Sequence, residues 1–172
     1  MRFIYHYDIA ALLISIVILF NIFLKQRIST RVSRSFKLLA VDLFLAIVFD
    51  LITIISISYY TYFPVWLNYL LNIISLLTYN LLPVFYISSI VCATTEEDDP
   101  ILKTSKLIIL IPAIIAVLMI ITTPLTKGVI YFDENGAYHS NWMIDVLAGI
   151  GFIYLIMVIV LGIKRRKSTI KR

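Results

Sequence analysis

The sequence predicts an all-α membrane protein, a polytopic helical bundle of about five transmembrane helices with a short β-hairpin-like loop on its outer side. Three observations predict it. Of the 172 residues, 61% are hydrophobic and only 15% charged, with a mean hydropathy of +0.98. A soluble domain of this size could not cover that much apolar surface. The apolar residues gather in continuous runs of roughly 20, the length a helix needs to cross a hydrocarbon core about 30 Å thick. The runs do not alternate apolar and polar residues as barrel strands do, and helices are then what satisfies the backbone in lipid.

The first run covers about 7–24. Its positive charges follow the apolar stretch, and no small-x-small site stands out, so it reads as a span and not as a cleavable signal peptide. The second run covers about 38–59 and the third about 65–93. The third is longer than one crossing requires, so it should tilt, extend past the membrane or kink at Pro83. The fourth, about 107–123, should bend at Pro112, and the fifth covers about 143–163. The whole of 1–172 reads as one transmembrane domain with no soluble domain, repeat or low-complexity segment.

Orientation follows from the basic residues. Lys25, Arg27, Arg31, Arg34 and Lys37 crowd the first link, Lys103 and Lys106 lie in the third, and Lys164, Arg165, Arg166, Lys167, Lys171 and Arg172 form the tail. Only Arg2 and Lys127 fall on the other set of segments. Positive loops stay cytoplasmic, which puts the C-terminus inside and, with five crossings, the N-terminus outside, in a cell membrane. Tyr59, Tyr60, Tyr62, Trp66 and Trp142 then mark the outer interface. The net charge of +5 belongs to these flanks, where it meets anionic lipid head groups, and does not point to nucleic acid.

No catalytic constellation is visible: no phosphate-cradling Gly-rich loop, no His/Cys metal spacing, no nucleophile elbow. The chain is read as no enzyme by itself, with no metal and no cofactor. Cys92 is the only cysteine, a buried thiol or a palmitoylation site near the inner end of the third run. Glu96, Glu97, Asp98 and Asp99 read as a hydrated inner loop ended by Pro100, or as a regulatory contact. The outer link is more informative. Residues 129–132 favour a strand, Asp133, Glu134, Asn135 and Gly136 supply turn chemistry, and residues 137–139 can return as the second strand. His139 beside Asp133 and Glu134 is a solvated turn or a weak metal site. The hairpin is a structural lid or a ligand contact.

Polar residues inside the spans form the other candidate site. Asp50 lies about 20 Å in from Lys37 at helical rise. With no Lys, Arg or His at that depth, it must be protonated, hydrated or held by neutral donors. Asn68, Asn72, Ser75 and Tyr79 fall on one stripe of the third run, with Asn80 beside it. The stripe is interhelical glue or a sensing cavity. The short link 60–64 makes the second and third helices antiparallel neighbours, so Asp50 should bond Asn72 or Ser75.

Several segments resemble the N-terminal multi-pass "7TM" sensor region of bacterial histidine kinases and GGDEF-type diguanylate cyclases. They are Tyr7-Asp8-Ile9-Ala10-Ala11-Leu12-Leu13-Ile14, Phe49-Asp50, Trp66-Leu67-Asn68-Tyr69, Asn80-Leu81-Leu82-Pro83, Thr123-Pro124-Leu125 and the hairpin Ile130 to Tyr138. The similarity runs in order over almost the whole sequence. The family usually has about seven spans and a cytoplasmic effector domain, and this sequence carries five. After the hairpin, His139-Ser140-Asn141-Trp142 replaces the usual Arg-Gly-Pro type segment. The resemblance implies a sensory input module that passes an outer or intramembrane signal to a cytoplasmic effector. It also implies a signal ligand of unknown identity and, by analogy with other membrane sensors, a homodimer. The alternative is a small multi-pass transporter component or membrane scaffold, whose polar stripe with Asp50 would line a substrate or proton path.

Overall fold

A computed structural model describes residues 6–25, 31–94, 100–134 and 136–169. The elements are α1 (His6–Lys25), α2 (Arg31–Ser58), a 3-10 turn (Tyr60–Tyr62), α3 (Val65–Thr94), α4 (Pro100–Ile121), α5 (Thr123–Thr126), β1 (Ile130–Phe132), β2 (Tyr138–Ser140) and α6 (Met143–Thr169). Among the described residues, four helices are long and apolar enough to cross a membrane, through Tyr7–Leu24, Val32–Ser58, Val65–Cys92 and Met143–Val160. The apolar part of α4 among the described side chains is Ile109–Ile121.

Helices outrun the apolar runs that announce them. α2 begins at Arg31, seven residues before the expected Leu38, and α6 continues through the basic segment to Thr169. A run in sequence ends where the charges begin, but a helix continues as long as its residues tolerate helical backbone, and Arg and Lys do. α4 begins at Pro100, where the missing amide proton is one the first turn leaves unpaired anyway. Pro83 and Pro112 both lie inside continuous helices. Cys92 is half-buried near the end of α3. The acidic residues 96–99 lie outside the described residues.

The bundle is organised around α3. α2 packs along one side of it and α4 and α6 along the other, while α1 packs outside α2. The largest buried cluster joins Val84, Ile87 and Val91 of α3 to Ile109, Ala113, Ala116 and Ile120 of α4, Leu147, Ile150 and Tyr154 of α6, and Val129, Ile130 and Phe132 of the hairpin. Small residues sit at the helix contacts: Ala46 and Ala116 are fully buried, as are Ser56 and nearly so Ser89. Lipid tails are as apolar as leucine, so helices associate by close packing, and small side chains let the backbones approach. The outward faces carry large apolar residues such as Leu13, Phe20, Leu118 and Phe152, all more than half exposed, an arrangement suited to hydrocarbon and not to water.

The hairpin pairs antiparallel with Ile130 opposite Ser140 and Phe132 opposite Tyr138. Its strands flank the Asp133–Gly136 segment that carries the turn chemistry. The Asp133 amide donates to Ala137 O at 3.0 Å and the Gly136 amide to Asp133 O at 2.9 Å, so three residues, 134–136, form the connection. Gly136 takes φ +81°, while a Cβ there would meet the Tyr60 ring at an ordinary contact distance of 3.4 Å, so it is the backbone, and not space, that calls for glycine. Asn135 lies outside the described residues. Asn141 closes the loop: its side-chain amide donates to Lys127 O at 2.9 Å, its backbone amide to Val129 O at 2.8 Å, and its Oδ1 accepts the Trp142 amide at 2.8 Å. Thus one side chain ties the end of α5 to the start of α6.

Candidate functional site

The polar stripe of α3 is present at the α2–α3 seam. Asn68, Asn72 and Ser75 are buried, joined by Thr78, and α2 answers with buried Asp42, Thr53 and Ser56. Thr53 Oγ1 donates across the seam to Leu71 O at 3.3 Å. Most of the others bond within their own helix: Asn72 Nδ2 to Asn68 O at 2.8 Å, Thr78 Oγ1 to Ser75 O at 2.8 Å, Asn80 Nδ2 to Leu76 O at 2.8 Å and Ser56 Oγ to Thr53 O at 3.0 Å. This self-satisfaction lets polar side chains line a dry seam without desolvation cost. Two groups depart from it. Asn68 is 0% exposed with neither amide atom partnered, and Asp42 Oδ2 is buried without a partner.

Asp50 does not bond Asn72 or Ser75 as its depth suggests. The polar group that faces it is the Tyr79 hydroxyl, from the lower end of the stripe. Equal Cα depth is the wrong criterion for a long side chain. Helical side chains lean toward the helix N-terminus, so the Tyr79 hydroxyl lies about one turn outward of its own Cα. Asp8 of α1 is the charged neighbour of both groups. Its placement follows from register. Lys37 lies over the Phe23 ring, 5.7 Å from its centroid. Counting outward from that contact, Asp8 is about 22 Å along α1 and Asp50 about 20 Å along α2. Pro83 adds a further feature: it has no amide proton to offer the carbonyl four residues earlier, which is that of Tyr79. The result is a junction of three helices carrying two carboxyls, a phenol and a carbonyl without its helical amide. Its carboxyls and phenol offer oxygen donors and places for a proton, and a change in their charge would act on the contact of α1 with α2.

The outer hairpin is fastened to α3. Its inward residues Val129, Ile130 and Phe132 are buried. The Phe132 amide donates to Tyr69 Oη at 3.3 Å, and the two rings meet edge to face at 4.9 Å. Burial pushes the Tyr138 phenol above the usual tyrosine range. On the outer face, Asp133 Oδ1 accepts the Ala137 amide at 2.8 Å, while Oδ2 lies 3.4 Å from His139 Nε2. His139 stacks on Tyr131 at 4.9 Å, and Glu134 is exposed. The pair is partly exposed on both sides, so it contributes a few tenths of a kcal/mol at most. Among the described residues no group of three metal-ligating side chains forms. Replacing Tyr69 by phenylalanine keeps the ring contact and removes the acceptor. Amide exchange at Phe132 should then accelerate severalfold, with about 0.5–1 kcal/mol lost from the hairpin. Unchanged exchange would mean that ring packing alone holds the loop.

Asp8, Thr53, Ser56, Thr78, Asn141 and Tyr154 are not singled out by the sequence reading. Asp8 was legible in principle, because its distance from the inner charges matches that of Asp50. Tyr154 was not, since a tyrosine inside an apolar run carries no mark of its partner. No family model matches the chain, and no match was found among curated proteins or solved structures.

Proposed function

We propose that this protein is a membrane-embedded sensory input module of a bacterial signalling system. It crosses the cell membrane five times, with its N-terminus outside and its C-terminus in the cytoplasm. The observation that carries the reading is the continuity of α3. One helix holds the outer hairpin through Tyr69, carries Tyr79 at the three-helix junction, and runs on to the opposite end of the bundle. A ligand on the hairpin, or a proton or cation at Asp8, Asp50 and Tyr79, would bias the position of that helix, and small helix shifts are a usual currency of transmembrane signalling. The effector, of diguanylate cyclase or kinase type, and a homodimeric arrangement follow from the resemblance of the sequence to sensor regions of such proteins.

The fifth crossing is assigned to α4. Its 22 residues rise about 33 Å, enough for the hydrocarbon core. In a Cys92→Ser background, Glu134→Cys should react in intact cells with an impermeant maleimide, whereas Ser168→Cys should react only after permeabilisation. Arg34→Cys is the second inner probe, because Arg34 is exposed while the neighbouring Ser33 is buried. Labelling of Arg34→Cys in intact cells overturns the orientation.

One observation favours the transporter reading. Asp42, buried with an unpartnered oxygen, lies eight positions from Asp50 on the same helix, about 12 Å inward. Two carboxyls on one face resemble steps of a proton path. Proton-coupled solute uptake by vesicles reconstituted with the pure chain would establish that reading. Output from an effector fused after α6 that responds to an outside stimulus would establish the first.

A further inference from the structure

On the lipid-facing side, α1 and α2 diverge to leave an apolar groove of about 550 Å³, floored and walled by Ile16, Phe20 and Phe23 of α1 and Val41, Phe44 and Leu45 of α2. On α2, Arg34, Lys37, Val41 and Leu45 follow at helical spacing, so they form one stripe that passes from basic to apolar. Lys37 stands at the mouth with its ammonium over the Phe23 ring, and Arg34, one turn further, is exposed. Neither forms an ion pair with a described carboxylate. Asp42 is buried and lies off this stripe, on the face of α2 that carries Thr53.

We propose that this groove is a binding site for one anionic glycerophospholipid, its acyl chain along Phe20, Phe23 and Phe44 and its phosphate held by Lys37 and Arg34. Charge complementarity selects the occupant. A second copy of the chain would have to bury both cations against apolar surface, whereas an anionic phospholipid brings phosphate to the cations and hydrocarbon to the groove. Two basic side chains near a membrane surface favour an anionic over a zwitterionic head group by about tenfold or more. The groove fixes that preference to one place, away from the basic tail.

Native mass spectrometry of the full chain in detergent, with equimolar dioleoylphosphatidylglycerol and dioleoylphosphatidylcholine, tests this. One phosphatidylglycerol should be retained about tenfold over phosphatidylcholine. Arg34→Gln with Lys37→Gln should abolish the preference, and Lys164→Gln with Arg165→Gln should leave it. Val41→Trp should lower retention of both lipids by filling the groove. Leu45→Trp, at the more exposed rim, does the same should Val41→Trp lose helicity by circular dichroism. A preference that survives Arg34→Gln with Lys37→Gln, or falls equally with the tail pair, overturns the site. So does full retention in a folded groove-filling variant.

Discussion

Tyr154→Ala is expected to unfold the bundle at much lower denaturant than the parent chain, with a loss on the order of 2–3 kcal/mol. Tyr154 is 1% exposed and its hydroxyl donates to Ile109 O at 2.7 Å. The acceptor is on α4, beside the turn where Pro112 removes an amide proton, and the Ala113 amide also lies against the phenol oxygen. Tyr154 therefore stitches α6 to α4 where the helical ladder of α4 is weakest. Truncating a buried aromatic in a water-soluble core costs about 3–5 kcal/mol, part of it the transfer of the ring to water. In a micelle the separated helices remain in an apolar medium, so the cavity and lost contacts persist while much of the transfer part falls away. Tyr154→Phe should cost only about 1 kcal/mol, because the ring stays and one interhelical bond is lost. Unfolding by sodium dodecyl sulfate from mild detergent, followed by circular dichroism, separates the two. Equal losses for both variants would assign the whole effect to the hydrogen bond.

The second large effect concerns output. In a fusion carrying a cytoplasmic cyclase or kinase after α6, Asp50→Asn should fix the output at one level while expression stays normal. Asparagine keeps a polar group of the same size facing the Tyr79 hydroxyl, so the α2–α3 contact survives. What is lost is the group able to change charge beside Asp8. Tyr79→Phe should act differently, weakening the bundle by about 1 kcal/mol and leaving a response that still varies with the stimulus. Asp50→Leu combines both losses. Its structural part falls on the polar contact with Tyr79, and not on Asn72, whose amide is already bonded to Asn68 O. A stimulus response unchanged in the Asp50→Asn fusion would reduce the three-helix junction to a structural contact.

The apolar runs, the basic links and the Asp-Glu-Asn-Gly turn were legible because each acts locally. Twenty apolar residues demand a helix in lipid wherever they stand, a charge run marks the end of a span, and a glycine after a polar turn accepts positive φ. Thus the membrane-suited helices, the hairpin and the polar face of α3 follow from the order of residues alone. Partner choice does not. Asp50 meets Tyr79 because a long side chain leaned one turn outward, and Asp8 joins them because the short α1 packs against α2 in one register. The phenol of Tyr154 reaches Ile109 O because α6 packs against α4 in one register. Each of these depends on how far two helices slide and rotate against one another. That is fixed by the summed packing of many small and large side chains along the seam, and no single motif encodes it.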